Sequence, residues 1–311
     1  INEKRKIKKN SLKAYIINIQ KLNNGINEGE YKSLDFLKDI DKIKIYLEKK
    51  FKLATIKNYL AAIIVSLDAM NEDDKYETLI SKYREYLEEI NKKFFEDYDN
   101  GEKSKSQENN WTTIKALKKI MNNYWRDIQE REILKKDELN KKQMALLQKW
   151  VIANLFLNEE NPPTRLDYAP LEIISKKEFD TLEDEERKEN NYLVITSRNK
   201  KMFSFNEYKT SGKYGNNDVI VGKKLNSVLN IWLKYNKSDS LLLNSKNEPM
   251  SANGLGKELK KTFESSGKNI SVNMLRHIYI SEKYPNKDDE KKEDAQKMGH
   301  SIAMQGKYSK K

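Results

Sequence analysis

Apolar residues recur at helical spacing through almost the whole of this chain, and only between residues 192 and 221 do they alternate. That change of period limits the fold more than any motif does. A 3.6-residue repeat buries one stripe of a helix, and a two-residue repeat buries one face of a strand. Leu12, Tyr15, Ile16 and Ile19 open the helical pattern. Amphipathic stretches follow over roughly 33–51, 53–70 and 78–97, and Ile56, Tyr59, Leu60, Ile63 and Ile64 mark a buried face. Nothing alternates within 11–100, so that region is expected to be a small bundle of four or five helices.

Residues 98–110 are polar, carry Gly and Ser and have no apolar period, which is linker composition. Beyond them, Trp111-Thr112-Thr113 opens a helix carrying Ile114, Leu117 and Met121. A second helix near 138–157 carries Met144, Leu147, Val151 and Leu155, and Pro162 and Pro163 stop it. The acidic stretch from Glu178 to Glu189 reads as an exposed loop. Tyr192–Thr196, Lys201–Tyr208 and Val219–Val221 read as strands, with a turn over 209–217. Helical spacing returns at 223–235, with Leu225, Val228, Leu229, Trp232 and Leu233 on one face, and again at about 253–265. The expected fold is therefore mainly α with a small antiparallel β-sheet (α+β), in two domains. These are a helical domain over 1–100 and a second over 111–311, joined by a linker at 101–110.

Net charge is +12 and the isoelectric point about 9.3. Such an excess suits an anionic polymer or an anionic surface as partner. Part of it lies in a basic arm over 4–9, which is a solvated terminus, a DNA-tracking arm or an import signal. No apolar run approaches the roughly 20 residues that cross a bilayer, and residues 1–10 lack the apolar segment of a secretion signal. The chain opens on Ile1, as a trimmed product or a piece of something longer would. Cysteine is absent, which excludes disulfides and thiolate metal sites and suits a reducing compartment. Lysine far outnumbers arginine, as AT-rich coding would give, so a lysine run carries little weight and each arginine carries more.

Two arginines and both histidines fall in short motifs. Arg165 follows Pro162-Pro163-Thr164, and Lys209 lies in Lys209-Thr210-Ser211-Gly212. Arg276 and His277 close Asn273-Met274-Leu275-Arg276-His277. His300 lies in Gly299-His300-Ser301, upstream of Tyr308. Ser271 is a candidate N-cap, which sets Asn273 and Arg276 on one face in the first turns of a helix, while Leu275, Ile278 and Tyr279 pack inward. Donors clustered at a helix N-terminus can grip a phosphate. Taken singly, each feature also fits an ordinary basic surface, and in a chain with 17 tyrosines one at any chosen offset is cheap. Their order along one domain is what separates them from that background.

In that order the second half resembles the catalytic domain of the tyrosine recombinases, the phage integrase family. The similarity covers roughly 107–311, and the helical region over 11–97 resembles the family's core-binding domain by pattern alone. The resemblance implies DNA strand breakage and rejoining through a 3′-phosphotyrosyl bond made by Tyr308. Arg165 and Arg276 would hold the scissile phosphate, His300 would hydrogen-bond it, and Lys209 would protonate the leaving 5′-oxygen, with Lys213 as the alternative lysine. His277 would support the site. Asn273 stands where the family has histidine, and an amide can donate to phosphate but cannot take a proton near neutral pH. The interval from His300 to Tyr308 is shorter than the family's usual one, so Tyr279 and Tyr284 remain as other nucleophiles. The resemblance further implies double-stranded DNA as partner, clamped between the two domains, and a homo-tetramer on two DNA sites. No metal, cofactor or membrane is implied, and the expected setting is intracellular, in a virus or mobile element. Two other readings stay open: DNA relaxation of the type IB topoisomerase kind, and a catalytically inactive DNA-binding relative.

Overall fold

The computed structural model describes residues 7, 9–27, 33–99, 102–284, 294–295, 297–299 and 308–309. Residues 4–6 and 8 of the basic arm lie outside the described residues, as do His300 and Ser301. Contacts divide the chain into two compact units, residues 1–100 and 101–311. Each has its own apolar core.

The first unit is helical throughout its described residues. It comprises α1 (Lys9–Ile26), α2 (Ile40–Lys50), α3 (Leu53–Ala69) and α4 (Glu77–Asp99), with a 3-10 turn at Leu34–Lys38. Helix α3 is the centre, because Ile56, Tyr59, Leu60, Ile63, Ile64 and Leu67 bury several of its sides against α1 and α4. Asp39 starts α2 by accepting from the Lys42 backbone N–H at 3.1 Å. Tyr83 on α4 donates to the Leu37 carbonyl at 2.7 Å and so ties the 3-10 turn to the bundle.

In the second unit, part of the expected linker is helical. Helix α5 (Lys105–Asn110) is closed by a capping box between Ser104 and Gln107, a local device that average composition does not reveal. It is fastened by the Asn110 side chain, which accepts from the Asn269 N–H at 2.8 Å. Helix α6 (Ile114–Glu130) starts at Thr113, whose hydroxyl accepts from Ala116 N–H. Helix α7 (Lys141–Leu157) is apolar almost all round and therefore central, and it ends before the prolines that were expected to stop it. The sheet follows: β1 (Leu171–Ser175), α8 (Lys176–Thr181), α9 (Asp184–Glu189), β2 (Asn191–Ser197), β3 (Lys200–Phe205), α10 (Ser211–Tyr214) and β4 (Asn217–Ile220). Helices α11 (Lys223–Tyr235), α12 (Ala252–Thr262) and α13 (Val272–Lys283) complete it. Helices α11 and α12 pack on α7.

The protein is thus mainly helical with one small sheet, an α+β fold. Three further expectations need correction. The sheet is mixed: its order is β1-β2-β3-β4, and β1 runs parallel to β2 while the other pairs are antiparallel. A parallel neighbour needs a crossover, and α8 and α9 supply it. The acidic stretch expected as a loop is therefore two short helices, each opened by a capping box, Ser175 with Glu178 and Glu183 with Glu186. The expected 209–217 turn is a longer connection, running from the end of β3 to β4 and holding α10.

Candidate active site

Helix α13 carries the centre of the site. Ser271 caps it, accepting from Met274 N–H at 3.2 Å, and Leu275, Ile278 and Tyr279 are buried. Arg276 is 0% exposed. Its guanidinium donates to the Pro163 carbonyl at 3.0 Å and to the Met298 carbonyl at 3.4 Å. The Tyr308 ring lies over it, 4.8 Å from guanidinium carbon to ring centroid. Burial pulls the Arg276 pKa down and Arg165 adds to this, whereas Tyr308 and Asp167 oppose it. Arginine stays protonated regardless, so this is a desolvated cation beside a second one. A bound anion would relieve both costs.

Arg165 reaches the same place from the segment after α7. It donates to the Gly299 carbonyl at 3.3 Å. The two guanidiniums are therefore anchored on consecutive carbonyls, those of residues 298 and 299. Thr210 donates to the Gly299 carbonyl as well, at 2.7 Å. This contact brings the β3–β4 connection to the site at Thr210, the residue after Lys209. Lys209 itself is exposed. Lys213 is exposed on α10, with its ammonium 5.4 Å from the Tyr214 ring centroid.

Gly299 has a positive φ of 65°, and a Cβ there would stand 3.1 Å from the Tyr208 ring. Only glycine takes that conformation against that ring without cost. The preceding residues are held by Asp294, whose Oδ2 accepts from Tyr279 at 3.0 Å, from Lys283 at 2.6 Å and from the Tyr284 hydroxyl. The phenols of Tyr279 and Tyr284 are thus committed to a buried carboxylate, and burial followed by Asp294 raises the Tyr279 pKa steeply. Neither is disposed as a nucleophile.

His277 is also buried. Its Nδ1 lies 3.0 Å from the Tyr308 carbonyl, and the two rings are 4.9 Å apart and tilted by 53°. Asn273 is exposed and its side chain makes no hydrogen bond with described residues, in contrast to Arg276 three positions on. Of the sequence-derived candidates, the fold brings together Arg165, Arg276, His277 and Tyr308, leaves Lys209 exposed next to Thr210, whose hydroxyl reaches the Gly299 carbonyl, and leaves Asn273 on the surface. His300 lies outside the described residues. No cluster of His, Asp and Glu able to hold a metal is present among the described residues.

Sequence reasoning missed Asp167. Its carboxyl interacts with Arg165, including the Arg165 backbone N–H, and with Arg276; burial raises its pKa against their pull. The visible signal was a carboxylate two residues after Arg165. Thr210 was passed over as part of a turn.

No family model matches the chain, and no curated protein does. Solved structures do match. One is the crystal structure of the XerA recombinase, aligned over 98% of this chain and 88% of that one, at 11% identity and a TM-score of 0.41. A likeness at that identity and score does not extend to chemistry. Among the described residues no helix is long and apolar enough to cross a membrane.

Proposed function

We propose that this protein cuts and rejoins duplex DNA through a tyrosine, as a recombinase of the integrase kind. The observation that carries the reading is the meeting of Arg165, Arg276 and Tyr308. Two guanidiniums from distant parts of the chain are anchored on adjacent carbonyls, and a phenol ring lies over one of them. Paired guanidiniums suit a phosphodiester because each is planar, permanently charged and able to make two hydrogen bonds to its oxygens.

In this reading the Tyr308 phenol gives its proton to water as its oxygen attacks the scissile phosphorus, and a 3′-phosphotyrosyl bond forms. The bond from phosphorus to the 5′-oxygen breaks, and that oxygen leaves with a proton from Lys209, which water then restores. Arg165 and Arg276 stabilise the charge of the five-coordinate transition state, where losing one donor costs about 100- to 1,000-fold in rate. His300 adds a hydrogen bond to the same phosphate. Asn273, exposed at the start of α13, is a DNA contact and not a proton acceptor. Exchange between two duplexes asks for several protomers, and a tetramer on two sites is the assembly expected.

The test is a nicked suicide substrate that loses, after cleavage, the short downstream fragment carrying the free 5′-hydroxyl and so traps the covalent adduct. Wild type is expected to accumulate a protein–DNA adduct and Tyr308→Phe none. An adduct of equal yield in Tyr308→Phe sinks the assignment of Tyr308. No adduct in wild type, with DNA binding intact, marks an inactive relative.

A further inference from the structure

We propose that His277 is a positioning residue for Tyr308, holding the main-chain carbonyl of the nucleophile so that its phenol stays over Arg276; this rests on the reading of Tyr308 given above. A carbonyl oxygen can only accept, so the 3.0 Å contact requires the hydrogen on His277 Nδ1. The tautomer is thereby fixed by Tyr308. Ser281, one helical turn further along α13, has its hydroxyl 3.5 Å from the same carbonyl. Residues four apart lie on one helix face, and two donors on that face converge on one acceptor. The His277 ring also packs on the Tyr308 ring.

The consequence is one helix with two tasks. Arg276 presents a cation to the anion site, and the next residue fixes the group that attacks there. Tyr308 also packs against the buried cluster of Tyr279, Ile280, Tyr284 and Met298, and its side chain hydrogen-bonds Arg276. Packing sets depth, and the directional hydrogen bond from His277 fixes the backbone end of the residue whose phenol meets Arg276. Misplacing a reacting group by about 1 Å can cost about 100-fold in rate.

Two variants separate the donor from the ring, and a third is the control for proton transfer. His277→Phe keeps a ring of similar shape and removes the donor, His277→Asn keeps a donor near the Nδ1 position and removes the ring, and Lys209→Ala removes the proton source. Adduct formation is measured for each on the suicide substrate and on the same DNA with a 5′-bridging phosphorothiolate, whose sulfur leaves without needing a proton. DNA affinity and melting temperature are measured alongside. His277→Phe is expected to form adduct about 10- to 100-fold more slowly on both substrates, with DNA affinity unchanged. His277→Asn is expected to recover most of the rate, and Lys209→Ala to recover on the sulfur substrate alone. His277→Phe at the wild-type rate, His277→Asn no faster than His277→Phe, or recovery of His277→Phe on the sulfur substrate each overturn the proposal. Because every comparison is made against wild-type adduct, a wild type that forms none refutes the recombinase reading instead.

Discussion

The balance of charge at the site turns on Asp167. Two guanidiniums brought together are repulsive, and this half-buried carboxyl is the anionic group that faces both. Burial wins over their attraction, so its folded-state pKa lies above the ordinary value of 3.8. The folded protein therefore holds this proton to a higher pH than the unfolded chain does. Its contribution to stability is complete below the unfolded value and is lost as pH rises through the folded one. Asp167→Asn cannot titrate, so the melting temperature of wild type minus that of the variant should fall as pH climbs above the ordinary value of 3.8 and level off once the folded-state carboxyl has ionised. Thermal melts of both proteins across the pH range in which the fold persists decide it, and a difference that stays flat removes Asp167 as a buried, proton-coupled group. At this scale the sequence was partly legible. Arginine is scarce enough that Arg165 and Arg276 stood out, whereas Asp167 is one of many acids, and only burial distinguishes it.

Among elements, the segment ending at Gly299 does the most to assemble the site. Its two last described carbonyls receive Arg276, Arg165 and Thr210, and Asp294 ties its start to α13 through Tyr279, Lys283 and Tyr284. Substituting Gly299→Ala puts a Cβ at 3.1 Å from the Tyr208 ring in a backbone with φ of 65°. The left-handed conformation alone costs a non-glycine residue about 1–2 kcal/mol, and relief by a backbone shift would move both carbonyls away from the guanidiniums. The variant is expected to unfold at about 1–2 kcal/mol lower stability in denaturant titrations and to lose adduct formation more than that destabilisation explains. Wild-type stability together with wild-type adduct yield would remove this role. The helices were readable because their apolar period is long: the sequence predicts 223–235, and α11 is Lys223–Tyr235. Strand β1 was not, because five residues with one exposed acid at Glu172 show too few repeats to fix a period. Helices α8 and α9 were hidden by the same shortness, since capping boxes and not apolar stripes define them.

At the scale of the whole molecule, charge is unevenly shared. Acidic and basic residues nearly cancel over residues 1–100, and most of the excess falls in 101–311. The two units have separate apolar cores, so each contains what it needs to fold alone. Composition showed the net charge but not this partition, which becomes meaningful once the unit boundary is drawn. If duplex DNA is the partner, affinity falls with salt by about 0.9 logarithmic units per logarithmic unit for each phosphate neutralised. The uneven charge then predicts that residues 101–311 alone keep most of the salt dependence of the full chain, while residues 1–100 alone bind weakly and with a shallow slope. Anisotropy titrations of labelled duplex at salt concentrations from about 50 to about 200 mM measure the three slopes. A slope divided equally between the halves, or one carried by residues 1–100, would mean that local placement of lysines outweighs the summed field, and the first unit would become the principal grip on DNA.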